Sequence, residues 1–536
     1  FGLTGDGFLY TWEHAPLRTL PIAYRHDGFS LFFEEPPMTW ESLLEGYVAP
    51  LAGTNATISV WGLGPGSVFC YDTKVGEVFG EGLSQEQLGM LREGDRWVHE
   101  NVMGLIRSGN DPLRVAAERG RELGLKTLAR LEMNHEYGPA SEDNWLWVGL
   151  VGRFNKEHPE YRIGGRSVLL DFKHKQLRDF KLAIFREALE AGSDGISADF
   201  AVYPPFFAEP AAGTPIMTGF IRDVRALLDE FGAQQGRRLE LMVRVPARNA
   251  NELGLDWQTW MREGLIDYIV PTHYRPNETF DIRVEEFVAL GRKTGVMVYP
   301  CIWQVLGFVS TDQHPEDEKT GNRRYDKPKT EEMFFAQALL FHRAGADGLQ
   351  LGFSEDQWRK RPYLNDLAEP EKVLYANKHY MVDVLPHCPI TFEASGGRPP
   401  TPVERTVPLR LGDDVAEARA RGYRVEAELV LYATPLHEGE RVEIFVNGQG
   451  PAVVAGAEPG AEAEGDGAPV DPRRIGDKIF EKEWWRRGER HVQMDAGWWR
   501  LGENEIRLVY RGAQADAAVP FSITWVDLLL RYQGPR

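Results

Sequence analysis

The chain has 536 residues, 43% of them apolar and 26% charged, which is long enough for two or more domains around a sizeable core. Its 61 Lys and Arg against 80 Asp and Glu leave a formal charge of −19. That balance disfavours nucleic acid and anionic membranes as partners and fits a neutral substrate or a well-solvated surface. There is no run of about 18 uncharged apolar residues to span a membrane.

From about residue 20 to 355, short apolar stretches alternate with amphipathic ones. This is the pattern of an α/β fold with a parallel sheet. Strands are predicted at 22–27, 57–61, 126–134, 195–200, 240–246, 268–274, 296–303 and 348–353. Helices fit between them, at 39–51, 85–106, 177–191, 216–231, 257–263, 284–293 and 331–344. Eight such units closing on themselves give a (β/α)8 TIM barrel, assigned here to residues 1–394. An open doubly wound sheet would want a glycine-rich phosphate turn after its first strand, and HDGFSLFF is not one. Two long connections, 136–178 and 306–329, fall on the side of the barrel where loops shape a substrate site. Residues 395–402, SGGRPPTP, read as a linker. Beyond it the helical period fades, and strand-like segments at 406–411, 423–432, 441–447, 505–511 and 523–532 predict an all-β sandwich over 403–536. Residues 455–472, rich in Ala, Gly, Glu and Pro, read as a loop between them.

Barrel enzymes carry their chemistry at the C-terminal ends of several strands. The fourth strand, in DGISADFAVYPPFF, puts Ser197 and Asp199 on one face and Ile196, Ala198 and Phe200 on the other. The third strand offers Arg130, Glu132 and Asn134, followed by His135. The first ends in Arg25, His26 and Asp27, the second in Trp61, the fifth in Arg244, and the sixth in His273 and Tyr274. The seventh gives Tyr299 and Trp303, and the eighth Gln350. Two carboxylates on adjacent strands, Asp199 and Glu132, suit glycosidic cleavage, where one group protonates the leaving oxygen and the other attacks or activates water. Arg130 and Arg244 would keep a neighbouring carboxylate ionised. Trp61, Trp145, Trp147, Tyr203, Phe206, Phe207 and Trp303 offer flat faces suited to sugar rings. The bland counterpart is a buried ion network of Arg130, Glu132 and Asp199 that only closes the barrel.

His26, His135 and His273 near strand ends raise a metal-dependent hydrolase, but the HxH or HxxxH pairing that such a site wants is missing from the sequence. No metal and no cofactor is expected. Three cysteines, Cys70, Cys301 and Cys388, are too few for a disulfide framework, and the odd count leaves at least one free. The chain starts at Phe1 with no signal peptide in view; a removed leader would make the protein secreted or periplasmic.

An ordered series of motifs resembles the bacterial glycoside-hydrolase-like barrels described as family-10-like, which carry a C-terminal β-sandwich. The series runs RHDGFSLFF, FCYDTKVGEVFG, EHPEYRIGG, LLDFKHKQLRDF, DGISADFAVYPPFF, VRVPA, IFVNG and GENEIRL, so it covers most of the chain. The resemblance implies a carbohydrate-active barrel enzyme that degrades oligo- or polysaccharide. It carries over Asp199 as nucleophile or base. Members show a second acid two residues earlier, in a pattern like DGIELDF, where this chain has Ser197. A partner acid must therefore come from another strand, and Glu132 leads, with Glu136, Asp27 and Glu355 also within reach. Asp27, Trp61, Arg130, Asn134, His135, Tyr203, Arg244, His273, Tyr274, Trp303 and Gln350 are the expected substrate-binding set. The rival expectations are a non-catalytic glycan-binding barrel and the metal-dependent hydrolase.

Overall fold

A computed structural model describes residues 2–3, 9–10, 17–134, 136–137, 144–165, 169–202, 204–273, 280–309, 324–352, 358–382, 390–391, 402–433, 436, 438–456, 489–512 and 522–535. The chain divides into two compact units. One comprises residues 1–275, 282–304 and 344–369, and the other 276–281, 305–343 and 370–536.

The first unit is a parallel barrel. Its strands are β1 (Ile22–His26), β2 (Ala56–Gly62), β3 (Lys126–Glu132), β4 (Gly195–Asp199), β5 (Glu240–Pro246), β6 (Tyr268–Thr272), β7 in two pieces (Met297–Val298 and Cys301–Trp303), and β8 (Leu349–Gly352). Each pairs in parallel with its neighbour in sequence, and β8 returns to β1. The ring closes through the broken strand. The first piece of β7 pairs with β6 and the second with β8. Between them the Tyr299 amide donates to Ile269, and the Pro300 carbonyl accepts from Gln350. A proline in a barrel strand removes a ladder donor, which is why the strand splits there.

All eight strands stand where the alternation of apolar stretches predicts them, with ends moved by one or two residues. Helices Lys175–Glu190 and Glu285–Thr294 follow, the one expected over 85–106 is broken into Gln85–Met90 and Glu93–Arg107, and Glu331–Ala344 belongs, all but its last residue, to the second unit. Helix Pro112–Glu122 was not anticipated. Its signal is Asp111 followed by Pro112, with the Asp111 carboxylate accepting from the Leu113 and Arg114 amides at the helix start.

Side chains alternate across the strands, so Ala23, Ile58, Val60, Leu128, Met242 and Cys301 meet inside as an apolar floor. Arg25, Arg130, Asp199 and Arg244 stand one step nearer the C-terminal ends. His26 and Trp61 point the other way, away from the floor. Among the described residues, no helix is long and apolar enough to cross a membrane.

The second unit carries a two-stranded antiparallel ribbon, Val305–Val309 with Arg324–Pro328, and two larger antiparallel sheets. One holds Lys378–Met381, Arg424–Ala433, Glu489–Met494 and Ser522–Gln533, with Ile390–Thr391 on the last of these. The other holds Val403–Leu411, Arg441–Val446, Gln449–Ala455 and Gly502–Arg511. Along Arg441–Val446, Val442, Ile444 and Val446 are buried and the residues between them are not, the period of a half-buried strand. Together the sheets make the β-sandwich. The stretch 395–402 lies outside the described residues except for its last member, as does most of 455–472.

At the mouth of the barrel two glycines meet. Gly28 has φ of 76°, and a Cβ there would lie 1.8 Å from the Gly62 carbonyl oxygen; a Cβ on Gly62 would lie 2.1 Å from the Asp27 oxygen. Only backbone without side chains allows β1 and β2 to end this close. Gly62→Ala should therefore cost about 2 kcal/mol or more, read as a lowered denaturant midpoint. Gly104→Ala, in helix Glu93–Arg107 with open space around its Cα, should be neutral or gain up to about 1 kcal/mol.

Candidate functional site

The C-terminal ends of β1, β3, β4 and β5 bring five charged side chains together. Asp199, at the end of β4, has a side chain with 0% exposure. Arg130 on β3 donates to its Oδ2 through Nε at 3.0 Å and lies within 2.9 Å through Nη2. Arg244 on β5 reaches both carboxylate oxygens through Nη1 at 3.1 Å. Arg25 on β1 places Nε 3.7 Å from Oδ2. The Ala201 amide donates to Oδ1 at 3.0 Å. Burial alone would raise the pKa of Asp199, but Arg244, Arg130 and Arg25 together outweigh it and hold the carboxyl below its usual value.

Glu132, at the end of β3, pairs with Arg130 and accepts from Arg25 Nη2 at 3.3 Å. Its side chain keeps 11% exposure. Of the two expected catalytic carboxylates, Glu132 is thus the one with access to solvent, while Asp199, its register partner on β4, is sealed. Arg244 also donates through Nη2 to Thr272 Oγ1 at 3.1 Å, and the same nitrogen stands 3.9 Å from Cys301 Sγ. Burial lowers the pKa of Arg25 to about 9, with Arg130 and Arg244 adding to the fall against the pull of Asp199 and Glu132.

The remaining expected residues divide. Trp303 lies beside the cluster, 9% exposed, with the Arg25 guanidinium carbon 4.9 Å from its ring centroid. His273 is buried just past the end of β6. Gln350 sits one level down, where its amide touches Met242 Sδ at 3.3 Å. Asp27 does the work of a turn: it accepts from the Phe29 and Ser30 amides at 2.9 and 2.8 Å and from the Ser30 hydroxyl at 2.5 Å. Burial raises its pKa despite these bonds. Asn134 ties the end of β3 to two loops, bonding the Leu170 amide at 2.9 Å and the Pro205 carbonyl at 2.8 Å.

Trp61 is 1% exposed on the outward face of β2, its ring 4.7 Å from His26 in an edge-to-face contact. Inside the barrel the same strand presents Ile58 and Val60, so the period of two carries Trp61 away from the charged cluster. Phe206 and Phe207 are likewise core residues, packed around Phe172. Trp145 and Trp147 are covered by cations, with Arg92 over the first at 3.9 Å and Lys156 over the second at 5.6 Å. His135, Tyr203, Tyr274 and Cys388 lie outside the described residues.

Sequence reasoning left two features out. Arg25 was seen on its strand but not placed in the set, although alternation puts it on the inward face with Ala23. The second is a pair of fully buried charges: Lys181 Nζ lies 2.9 Å from Glu136 Oε1, and Ser67 donates to the other oxygen at 2.7 Å. Its signal was Lys181 itself, set in the apolar stripe of Leu177, Ile184, Phe185 and Ala188, where a charge implies a buried partner. That pair removes Glu136 from the carboxylates free to meet a ligand. Cys70 and Cys301 are free and buried. Among the described residues, no group of three or more His, Cys, Asp or Glu gathers as a metal would need.

No protein family matches the chain by sequence, and no curated protein does. Solved structures similar to it include the C-terminal domain of a putative chitinase from Desulfitobacterium hafniense DCB-2, at 13% identity and a TM-score of 0.37, covering 66% of this chain and 99% of that one. A glycoside hydrolase family 18 N-acetylglucosaminidase from Paenibacillus barengoltzii gives the same four figures. A noncanonic maltogenic α-amylase from Thermotoga neapolitana is similar at 11% identity and a TM-score of 0.32, covering 76% and 87%. Identities and scores of this size carry no argument about activity.

The acid limb of stability should expose His26. Burial, reinforced by Arg25 and Arg130, pushes its pKa down to about 3, whereas the unfolded side chain titrates near 6.5. The unfolded chain therefore takes up a proton that the folded chain refuses, and stability falls as pH drops from about 6.5 towards 3, by on the order of 4 kcal/mol. Denaturant midpoints measured across that range should flatten in His26→Phe. A variant as acid-sensitive as the parent would show that another group carries the loss.

Proposed function

We propose that the barrel is a glycoside hydrolase of the family-10-like kind, acting on oligo- or polysaccharide at its C-terminal mouth, with the sandwich as an accessory module. The observation that supports it most is the pairing of Glu132 with Asp199 on adjacent strands beneath that mouth, both held by arginines. Their surroundings divide the roles. An oxygen that already accepts from two guanidiniums is badly placed to carry a proton, so Glu132 serves as nucleophile or general base. Asp199, with both oxygens engaged and no exposure, fixes the arginines that orient Glu132. The proton donor then comes from elsewhere; Glu355, in the connection after β8, lies outside the described residues. Trp303 is the aromatic face beside the charges.

A second reading has its own support. The sealed Asp199 and the Ser197 in place of an acid both suit a barrel that binds glycan without cleaving it.

Two isosteric variants separate these readings. Glu132→Gln should keep most of the stability, because its site is partly open, and lower turnover by about 100-fold or more. Asp199→Asn should cost roughly 3 to 5 kcal/mol in denaturant melts, because it leaves three buried guanidiniums short of a charge. Turnover on a glycan panel and melting are measured on both. A parent that binds glycan but turns none over supports the binding reading; a fully active Glu132→Gln removes Glu132 from the chemistry.

A further inference from the structure

Among the described residues the charged cluster does not balance. Three guanidiniums, from Arg25, Arg130 and Arg244, face two carboxylates, Asp199 and Glu132. Arg130 and Arg244 turn towards Asp199. Arg25 is shared less closely, at 3.3 Å from Glu132 and 3.7 Å from Asp199. Its Nη1 is buried and has no hydrogen-bond partner, although the side chain is only 3% exposed. The guanidinium lies over the Trp303 ring, whose indole Nε1 is also buried without a partner. Buried donors left unmade are rare in native structures, and a cationic one is the more costly kind.

The backbone lets the Arg25 guanidinium and the Trp303 ring meet at this end of the barrel. Gly352 ends β8, and a Cβ there would lie 2.6 Å from Trp303 Cε3 and 3.4 Å from Arg25 Nη1. With glycine in place, the indole and the guanidinium share the end of the strand.

We infer that the sugar taken at this mouth carries a carboxylate, and that Arg25 Nη1 and the Trp303 indole N–H are the donors that receive it. The inference rests on the glycan reading above and names its substrate class. A neutral hydroxyl could accept one of these hydrogen bonds but would leave the surplus positive charge unanswered. A carboxylate answers both, through a charge-assisted bond from Arg25. Arg25 already holds its proton less firmly than an ordinary arginine because burial and two neighbouring cations oppose it, and an anion beside it would relieve that opposition. The overall charge of −19 fits a neutral substrate or a well-solvated surface; the cluster favours the second reading, with a local positive site at the mouth.

The test uses the whole chain and three matched oligosaccharide sets: uronic-acid oligomers, the same oligomers with carboxyl groups reduced to alcohols, and sulfate esters of the reduced set. Calorimetric affinity and turnover are measured on each. The uronic set should bind at least about tenfold tighter than the reduced set, as one charge-assisted hydrogen bond implies. Arg25→Gln should abolish that preference. Trp303→Phe keeps an aromatic face but loses the N–H, and should weaken the uronic set by about threefold or more beyond whatever it costs the reduced set. Arg25 also touches Glu132 and Asp199, so if its variant fails to fold, the parent's three-way comparison and Trp303→Phe decide. Equal affinity for the uronic and reduced sets overturns this inference and leaves the glycan reading standing. Sulfate esters that match or exceed the uronic set overturn the carboxylate. No binding of any set overturns the inference and the glycan reading together.

Discussion

One carboxylate holds the charged layer of the barrel together. Arginines from β1, β3 and β5 converge on Asp199 at the end of β4. Below them lies an apolar floor, with Ala23, Leu128, Met242 and Cys301, that gives no access to water. Without Asp199, three like charges would face one another in a medium of low dielectric, where their repulsion is weakly screened. Glu132 alone could not compensate, because a single carboxylate, already bound to Arg130 and Arg25, would then face three guanidiniums. The register of four strands therefore has an electrostatic condition added to its apolar one. By contrast, Lys181 and Glu136 form a one-to-one pair closed by Ser67. That pair is complete in itself and leaves nothing to offer a ligand.

The period of two in the strands made most of this legible. Arg130 and Glu132 on β3, Asp199 on β4 and Arg244 on β5 were all found by asking which inward side chain stands near a strand end. The same question, put to β1, also returns Arg25. Errors arose where nearness to a strand end was allowed to stand in for direction. Trp61 is at such an end, yet Ile58 and Val60 already occupy the inward face, so its ring falls beside His26. Asp27 also stands at a strand end, but Asp-Gly followed by Ser30 is a turn sequence, and the carboxylate is used there. Phe206 and Phe207, in a proline-rich loop, looked like a sugar platform. Loop position says nothing of burial, and both rings lie in the core with Phe172. Exposure was the quantity the sequence did not carry, and it is what separates Asp199 from Glu132.

The surplus cation and the sealed acid are two consequences of one arrangement. Asp199 can engage three arginines only by being enclosed by them, and enclosure withdraws it from any substrate. The arginine least engaged, Arg25, is left with donors unused. The chain's net charge of −19 does not cancel this local excess. Surface carboxylates act through water and salt, which screen them beyond about 8 Å at physiological ionic strength. The guanidiniums at the end of the barrel are buried and screened far less. An approaching anion would thus meet the repulsion of the surface only weakly and the attraction of the cluster at short range, once water has been displaced. Selectivity built this way depends on contact rather than on long-range steering, so it resides in the geometry around Arg25, Trp303 and Gly352 and not in the protein's overall charge.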